Sequence, residues 1–458
     1  MIATFLWMGL LAGSERVVAQ SPGVDVELLL QRLEELEQKV KTLERNDTED
    51  KAASGTAPAQ DQVWPTVSLG ANGLTVTSVD SNYLFALRGF LQVDSRTFWD
   101  DGGIANNNDF LLRRARLIFS GTVLRDFDFQ VSPGFGGSTA RIYDAYLRYG
   151  HHPWLRARIG KFKTPVGLEA LQSDQFNAFN ERALPTQLVP GRSVGFQLEG
   201  EINDGALSYA AGIFNGLSDG RNSGNADFND SKDFAGRVFA QPFKQGGADG
   251  WRGLGFGVGG SWGDFTAASA AGLPSDLGYV TDGRQQFFAY TATVLSEGAH
   301  WRVAPQAYYY VGPFHLLGEY ALSAQRVRQA TQTALLRHTS WQVTAGWVLT
   351  GEAATPRGVA PEHPFDLRRG SWGAFEIVGR YSVLDLDDDA FPVFANPGSA
   401  TEARAWSLGL NWYLNQNLIL KTSYARTTFD GGGAGVLPPA PVTRQPEQVF
   451  FTRVQLSF

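Results

Sequence analysis

The last ten residues, Val449-Phe450-Phe451-Thr452-Arg453-Val454-Gln455-Leu456-Ser457-Phe458, alternate apolar and polar side chains and end on an aromatic residue. Successive side chains of a β-strand point to opposite faces, so Val454 and Leu456 share an apolar face while Arg453 and Gln455 share the other face. An edge strand of a soluble sheet can show this pattern. The closing strand of a barrel that crosses a membrane requires it, apolar toward lipid and polar toward the lumen.

The composition narrows the choice, because a membrane protein of this composition must be a barrel. The 458 residues include 52 Gly, 31 Phe, 14 Tyr and 12 Trp, and only 19% of them are charged. Strand and turn formers are therefore abundant, and no apolar run of about 18 residues follows the amino terminus to form a membrane helix. The chain has no Cys, and its six His are scattered. We therefore expect no disulfide, no thiol chemistry, no metal site and no cofactor.

Period-two patterning begins near residue 66 and predicts an all-β domain, a transmembrane antiparallel β-barrel of about sixteen strands. A short leading strand near 74–78 precedes the barrel. The sixteen predicted strands are 83–98, 110–123, 126–134, 140–149, 154–163, 193–202, 206–215, 232–243, 253–264, 300–311, 314–328, 336–350, 373–386, 403–414, 418–429 and 447–458.

The links between these strands alternate in length, as in an outer-membrane barrel. Short links of a few residues follow the second, fourth, sixth, tenth and fourteenth strands, as at Leu124-Arg125 and Gly312-Pro313. Several links after odd strands are long, including 164–192 and 265–299. The long link 351–372 is an exception, because it falls on the end where a short turn is expected.

Three segments precede the barrel domain, which we place at 66–458. Residues 1–19 are predicted to be a signal peptide, with an apolar run and small residues for cleavage. Residues 20–45 are predicted to form a periplasmic coiled-coil helix, and 46–65 a flexible linker. The heptad seam of that helix is Val26, Leu29, Leu33, Leu36, Val40 and Leu43. The alternative is one amphipathic helix that rests on another surface.

The first five predicted strands concentrate basic residues on the predicted luminal face. Between Arg88 and Lys163 there are 12 Lys and Arg against 7 Asp and Glu. Strand parity places Arg114 and Arg116 toward the lumen and Arg113 toward lipid. An arginine facing lipid at mid-bilayer costs about 2 to 4 kcal/mol, so the inward assignment is also favoured energetically. The same parity turns inward Arg88, Arg96, Arg148, Arg156 and Arg158.

These arginines support two alternatives. A ring of fixed guanidinium groups would attract anions, and its planar donors suit the oxygens of phosphate or carboxylate. In the other alternative, the arginines pair with luminal carboxylates and stiffen the barrel. The candidate partners are Asp94, Asp126, Asp128 and Asp144.

The link 164–192 is the third of the outer loops, which follow the odd-numbered strands, and it is predicted to fold into the barrel. It contains several Pro and Gly residues, and apolar side chains such as Leu168 and Phe176 could anchor it. An inward fold would bring Lys163, Arg182 and Arg192 to a constriction. The alternative is an outer lid that leaves conductance unchanged.

Several motifs in these strands resemble the phosphate-selective porin O and P family. They are LRRAR at 112–116, GKFKTPVGLE at 160–169, PGRSVG at 190–195 and WGAFE at 372–376. The resemblance spans roughly residues 66–458. It implies a trimeric sixteen-stranded porin with an inward third loop, and it would account for the long link 351–372.

The resemblance also implies a basic pathway for phosphate-type anions. The residues that match the basic motifs of the family are Arg114, Arg116, Lys161, Lys163, Arg182 and Arg192. Parity places Lys161 and Lys163 with the lipid-facing set of their strand. They are therefore expected to reach the lumen where the strand ends or bulges.

The sequence thus predicts a passive, anion-preferring channel in the outer membrane of a Gram-negative bacterium, for inorganic phosphate or other small anions. The expected partners are other copies of the chain in a homotrimer, outer-membrane lipid, and the assembly machinery that recognises the carboxy-terminal strand, but no nucleic acid. The alternatives are a general small-solute porin, a structural or adhesive surface barrel, and a barrel enzyme. The last needs a Ser/His or Asp/His pair near the outer rim of the barrel, and the six His are sparse and scattered.

Overall fold

Sixteen antiparallel strands close into one barrel, as predicted. The first barrel strand pairs with the last, from Val449 opposite Phe98 to Ser457 opposite Phe90, so the sheet has no free edge at this seam. The computed structural model describes residues 38–39, 41–42, 64–71, 73–99, 108–137, 139–224, 230–246, 249–266, 278–391, 393–433 and 443–458.

The strand bounds lie within a few residues of the predicted ones in most cases. Two short strands precede the barrel, and two more lie within its fifth outer link. The barrel strands are β3 (Tyr83–Phe98), β4 (Asp109–Val123), β5 (Phe127–Gly134), β6 (Arg141–His152), β7 (Leu155–Lys163), β8 (Arg192–Ile202), β9 (Leu207–Phe214), β10 (Asp233–Ala240), β11 (Leu254–Thr266), β14 (Leu295–Val311), β15 (Phe314–Gln329), β16 (Gln332–Val348), β17 (Ala374–Asp385), β18 (Ala400–Tyr413), β19 (Leu418–Gly431) and β20 (Glu447–Ser457). The others are β1 (Thr66–Gly70), β2 (Gly73–Thr77), β12 (Gly278–Val280) and β13 (Gln286–Ala289).

Helical structure in the barrel domain is confined to single turns in the described residues. They are the helix α1 (Leu168–Leu171) and the 3₁₀ turns Leu184–Gln187, Asp249–Trp251 and Asp388–Ala390. Within the described part of the chain, no helix has the length and apolar character needed to cross a bilayer.

Burial along the strands is inverted relative to a soluble protein. On β3, Gln92 and Asp94 are fully buried, whereas Leu91 and Val93 are exposed. On β20, Arg453 and Gln455 are buried while Val454 and Leu456 are exposed. The polar face therefore lies inside and the apolar face outside, as an aqueous lumen within lipid requires.

The short links make tight turns at one end of the barrel. Leu124 and Arg125 have φ values of 53° and 66°, and Asn203 and Asp204 have φ values of 52° and 50°. Two consecutive residues with positive φ match the twist of an antiparallel hairpin, so these turns set the register of their strands. The link from Leu349 to Gly373 lies at the same end and is long, as the sequence indicated.

The amino-terminal region adds a strand that the sequence did not predict. β2 corresponds to the predicted leading strand and pairs with β3, and β1 pairs with β2 to form a hairpin. Of the predicted coiled coil, only Gln38, Lys39, Lys41 and Thr42 are described, and they are helical. The rest of that helix, the signal peptide and nearly all of the linker lie outside the described residues.

The fifth outer link is long, as predicted, and it contains two strands that the sequence did not predict. β12 and β13 form a small hairpin within it, and β14 begins five residues earlier than predicted. Thr281 donates a hydrogen bond of 2.8 Å to Glu447, and Asp282 accepts one of 2.7 Å from Arg380. The sequence missed the hairpin because its partners lie on distant barrel strands.

Candidate functional site

The third outer loop, residues 164–191, runs inside the barrel. Wall side chains from three separated strands bond to it: Gln342 on β16 contacts Glu169, Asn411 on β18 contacts Ala178, and Gln455 on β20 contacts Gln175. The three hydrogen bonds measure 3.0 Å each. The loop therefore crosses the lumen and is not an outer lid.

Two carboxylates of this loop hold it against an arginine-rich wall. Asp174 lies 2.9 Å from Arg116 and 3.0 Å from Arg182, and it also lies 3.5 Å from Arg114. Glu181 lies 2.5 Å from Arg113 and 3.2 Å from Arg96. Five arginines thus surround two carboxylates, which leaves an excess of positive charge at the loop. We call these seven residues the loop-anchor cluster.

A β-bulge explains the unexpected position of Arg113. The pairing of β3 with β4 shifts between Gln92 and Val93, so Arg113 is the extra residue and turns inward. Its guanidinium donates two hydrogen bonds to Glu181, of 2.5 and 2.8 Å. The expectation that Arg113 faces lipid was wrong, because strict alternation holds only where no bulge intervenes.

The charge state of the loop carboxylates follows from these contacts. Burial raises the pKa of Asp174, but Arg114, Arg182 and Arg116 outweigh it and hold the pKa well below its ordinary 3.8. Burial likewise raises the pKa of Glu181, and the adjacent Arg113 holds it well below 4.5. Both carboxylates are therefore charged at neutral pH and remain so in mild acid.

Loop attachment is expected to persist through mild acid and to fail only in strong acid. A carboxylate whose pKa is depressed on folding contributes stability above its unfolded pKa, and this contribution is lost as the pH falls through the folded pKa. The ion pairs of Asp174 and Glu181 should thus stay intact from pH 7 to about pH 4.5, and single-channel conductance should rise once the pH falls below the ordinary range of Asp and Glu. A conductance that does not rise in strong acid would contradict this assignment.

A cavity of about 500 Å³ lies between the loop and the wall strands on one side of the lumen. Seven cations and three carboxylates line it. The cations are Arg116, Arg148, Arg156, Arg158, Lys163, Arg192 and Arg237, and the carboxylates are Asp144, Glu199 and Glu201. The cavity therefore presents more fixed positive than negative charge to a permeating ion.

Most of the predicted luminal arginines line this cavity, including Arg192, which was predicted in the loop but begins β8, and each of those is paired with a carboxylate. Arg148 binds Asp128 at 2.6 Å, and Arg158 binds Glu199 at 2.5 Å. Arg192 binds Asp144 at 3.0 Å, and Arg156 binds Glu201 at 3.3 Å. Asp94 pairs with Arg453, whereas Asp126 lies beside His151. Carboxylate pairing, one of the two alternatives from the sequence, thus holds for Asp94, Asp128 and Asp144.

The remaining predicted residues take different positions. Lys163 reaches the lumen at the end of its strand, where its amino group donates to the carbonyls of Leu171 and Gln172 at 3.1 and 2.6 Å. Lys161 donates to the carbonyl of Ser223 at 2.7 Å, just after Gly160 adopts a φ of 128°. Arg88 contacts the hydroxyl of Ser120 at 3.2 Å, away from the loop.

Arg237 lies in the lumen on β10 and was not among the cations predicted from the sequence. Its Nε donates to Gln306 at 2.9 Å, and its guanidinium lies 4.3 Å from the ring centre of Phe239. Among the described residues, no carboxylate lies within ion-pair distance of it. The parity of β10 would have placed it inward with Asp233 and Ala235.

No group of His, Asp and Glu side chains in the described ranges is arranged to hold a metal ion. The wall arginines instead stack on aromatic rings, as Arg116 does on Tyr143 at 3.9 Å and Arg158 does on Tyr146 at 4.8 Å. The aromatic rings and the carboxylates together fix the orientation of the guanidinium planes. The N–H groups of these arginines are therefore already oriented to donate to an oxyanion.

Comparison with known proteins agrees with this geometry. The sequence model of the family described as phosphate-selective porin O and P matches residues 85–431. Porin O of Pseudomonas aeruginosa is 25% identical over 398 residues, which cover 78% of this chain and 86% of that protein.

Solved structures match in fold. The outer membrane channel DcaP of Acinetobacter baumannii aligns with a TM-score of 0.53 at 11% identity, over 83% of this chain and 99% of that one. OmpT, an outer membrane protein of Vibrio cholerae, aligns with a TM-score of 0.50 at 9% identity, over 82% and 99%. These likenesses support a porin-type barrel.

Proposed function

The chain belongs to the phosphate-selective porin O and P family and is an outer-membrane porin, a channel and not an enzyme. On this premise, we propose that the channel prefers anions and conducts phosphate or other small anions. The third loop forms its constriction, and basic side chains on the wall and the loop line its path.

The excess of cations beside the loop carries this proposal. Five arginines share two carboxylates in the loop-anchor cluster, and the adjacent cavity is lined by Arg116 of that cluster, six further cations and three carboxylates. Fixed charge of one sign in a narrow, low-dielectric passage raises the local concentration of ions of the opposite sign. The family description, phosphate-selective porin O and P, points to the same class of solute.

A general small-solute porin is the second candidate. It is favoured by the pairing of Arg148, Arg158 and Arg192 with carboxylates, which reduces the net charge of the wall. The two candidates differ in ion preference. Reversal potentials in a planar bilayer under a KCl gradient measure it, and millimolar phosphate then tests for block of the chloride current.

Arg237 offers a clean test of anion preference, because no carboxylate in the described structure depends on it. The variant Arg237→Gln is expected to lower the chloride-to-potassium permeability ratio about two- to five-fold, since one charge near the path contributes about 1 kcal/mol or less in water. The reversal potential reports this ratio directly.

The matched control is Arg148→Gln, which removes an equal charge but also frees its partner Asp128. Its effect on the permeability ratio should be larger than that of Arg237→Gln, because a positive charge is lost and a negative one is uncovered. A wild-type channel that prefers potassium would contradict the anion proposal. Anion preference without phosphate block would leave a general anion porin.

The assembly and orientation of the barrel belong to the same proposal. We infer a homotrimer in outer-membrane lipid, with the short turns and the amino-terminal segment in the periplasm and the carboxy-terminal strand as the signal for the assembly machinery. OmpT, which shares the fold, was solved in a trimer form. The heptads of residues 20–45 would join the subunits below the membrane.

A further inference from the structure

The long link between β16 and β17 packs against the lipid-facing side of the barrel. The ring of Phe365 lies 5.4 Å from that of Trp412 and 5.9 Å from that of Trp372. Trp412 donates a 2.6 Å hydrogen bond to the carbonyl of Trp372 and stacks on Phe375 at 5.6 Å. Trp412 shares the outer face of β18 with the exposed Leu408. Residues 364–372 therefore extend the outer aromatic belt at the short-turn end.

Backbone bonds fix the shape of this segment, which we call the rim turn. Asp366 and Ser371 exchange backbone hydrogen bonds of 3.0 and 3.1 Å, and Phe365 donates to Leu414 at 2.7 Å. The carboxylate of Asp366 accepts from the amide of Arg368 at 2.9 Å. The rim turn is thus held in one conformation before it meets any partner.

The tip of the rim turn combines exposed apolar and basic side chains. Leu367 is 70% exposed and Trp372 is 56% exposed. The side chain of Arg369 is 85% exposed, 3.5 Å from Asp366, and Arg368 is exposed beside it. Exposed Leu and Trp next to Arg, at the level of an aromatic belt, are typical of segments that lie in the membrane interface.

We propose that the rim turn anchors the barrel in the adjacent leaflet by binding anionic phospholipid. Leu367 and Trp372 enter the headgroup region, and the two arginines bind lipid phosphates. The continuity of the segment with the lipid-facing belt supports a lipid surface as its occupant, and the exposed guanidinium groups complement anionic headgroups. The proposal rests on the barrel lying in a bilayer and is independent of the ion preference of the channel.

The absence of Cys from the chain allows a single-site label to test the proposal. The full-length variant Leu367→Cys carries a fluorophore, and the protein is reconstituted in phosphatidylcholine vesicles with or without phosphatidylglycerol. The matched control is Gln416→Cys in the neighbouring short turn, which is also exposed. Nitroxide-labelled lipid is expected to quench the label at 367 several-fold more than the label at 416. Phosphatidylglycerol should increase quenching at 367 only.

Adding Arg368→Gln and Arg369→Gln to the Leu367→Cys variant should abolish the increase caused by phosphatidylglycerol. Equal quenching at positions 367 and 416 would overturn the proposal and leave the rim turn free for a soluble partner. Strong quenching at 367 that is unaffected by phosphatidylglycerol would overturn the role of the arginines. Channel conductance of the labelled proteins verifies that the barrel is assembled in every sample.

Discussion

The double variant Asp174→Asn, Glu181→Gln is expected to raise single-channel conductance at least about two-fold, because the narrowest section of a pore limits its current. These two side chains form the ion pairs between the third loop and Arg96, Arg113, Arg114 and Arg116 on the wall. Charge-assisted hydrogen bonds of this kind are about twice as strong as neutral ones. Without these ion pairs, the wall arginines repel one another, the third loop detaches from the wall, and the constriction widens. Planar-bilayer recording measures the result.

The matched control for this experiment is the double variant Glu199→Gln, Glu201→Gln. It also removes two luminal carboxylates, but these pair with Arg158 and Arg156 on the wall and do not contact the third loop. Its conductance should stay near the wild-type value while its ion preference shifts. Equal conductance in the two double variants would show that charge removal, and not loop release, sets the current.

The variant Arg453→Met is expected to destabilise the barrel by about 3 to 5 kcal/mol, because it leaves a buried charge without its partner. Arg453 on β20 and Asp94 on β3 are both 0% exposed. The guanidinium donates two hydrogen bonds to the carboxylate, of 2.6 and 2.7 Å, across the seam that closes the barrel. Urea unfolding in lipid vesicles, followed by Trp fluorescence, measures the change.

The companion variants separate pairing from packing at the seam. Asp94→Asn alone should also destabilise, since it leaves Arg453 buried without a full charge partner. The double variant Asp94→Asn, Arg453→Met should be more stable than the sum of the two single losses, because no unpaired charge is left buried. A loss below about 1 kcal/mol for Arg453→Met, far under the range for a broken buried pair, would indicate that water solvates Asp94 in place of the missing guanidinium.

The barrel could be predicted from the sequence because lipid and water impose period two on every strand. On β3, Leu91 and Val93 face outward, whereas Gln92 and Asp94 face inward. On β20, Val454 faces outward and Arg453 inward for the same reason, which is the alternation of side chains along a strand. The alternation of short and long links followed from turn residues such as Asn203-Asp204-Gly205. These are local signals, and local signals were sufficient for the strand count and for most strand bounds.

The lumen was less predictable, because it depends on contacts between residues far apart in the chain. Parity failed at Arg113, where one extra residue in β4 reverses the face. No sequence pattern could assign Glu181 to Arg113 or Asp174 to Arg116, since these pairs form only when the third loop crosses the barrel. The β12–β13 hairpin and Arg237 were missed for similar reasons.

The pairing of wall arginines with carboxylates affects how far their influence reaches. A guanidinium 3.0 Å from a carboxylate, as in Arg192 with Asp144, acts on a passing ion as a dipole, whose potential falls off with the square of distance. An unpaired charge such as that of Arg237 acts over a Debye length, about 8 Å at physiological salt. Raising the salt concentration should therefore weaken the attraction of Arg237 for distant anions more than it weakens the contacts of the paired arginines with an anion at the wall.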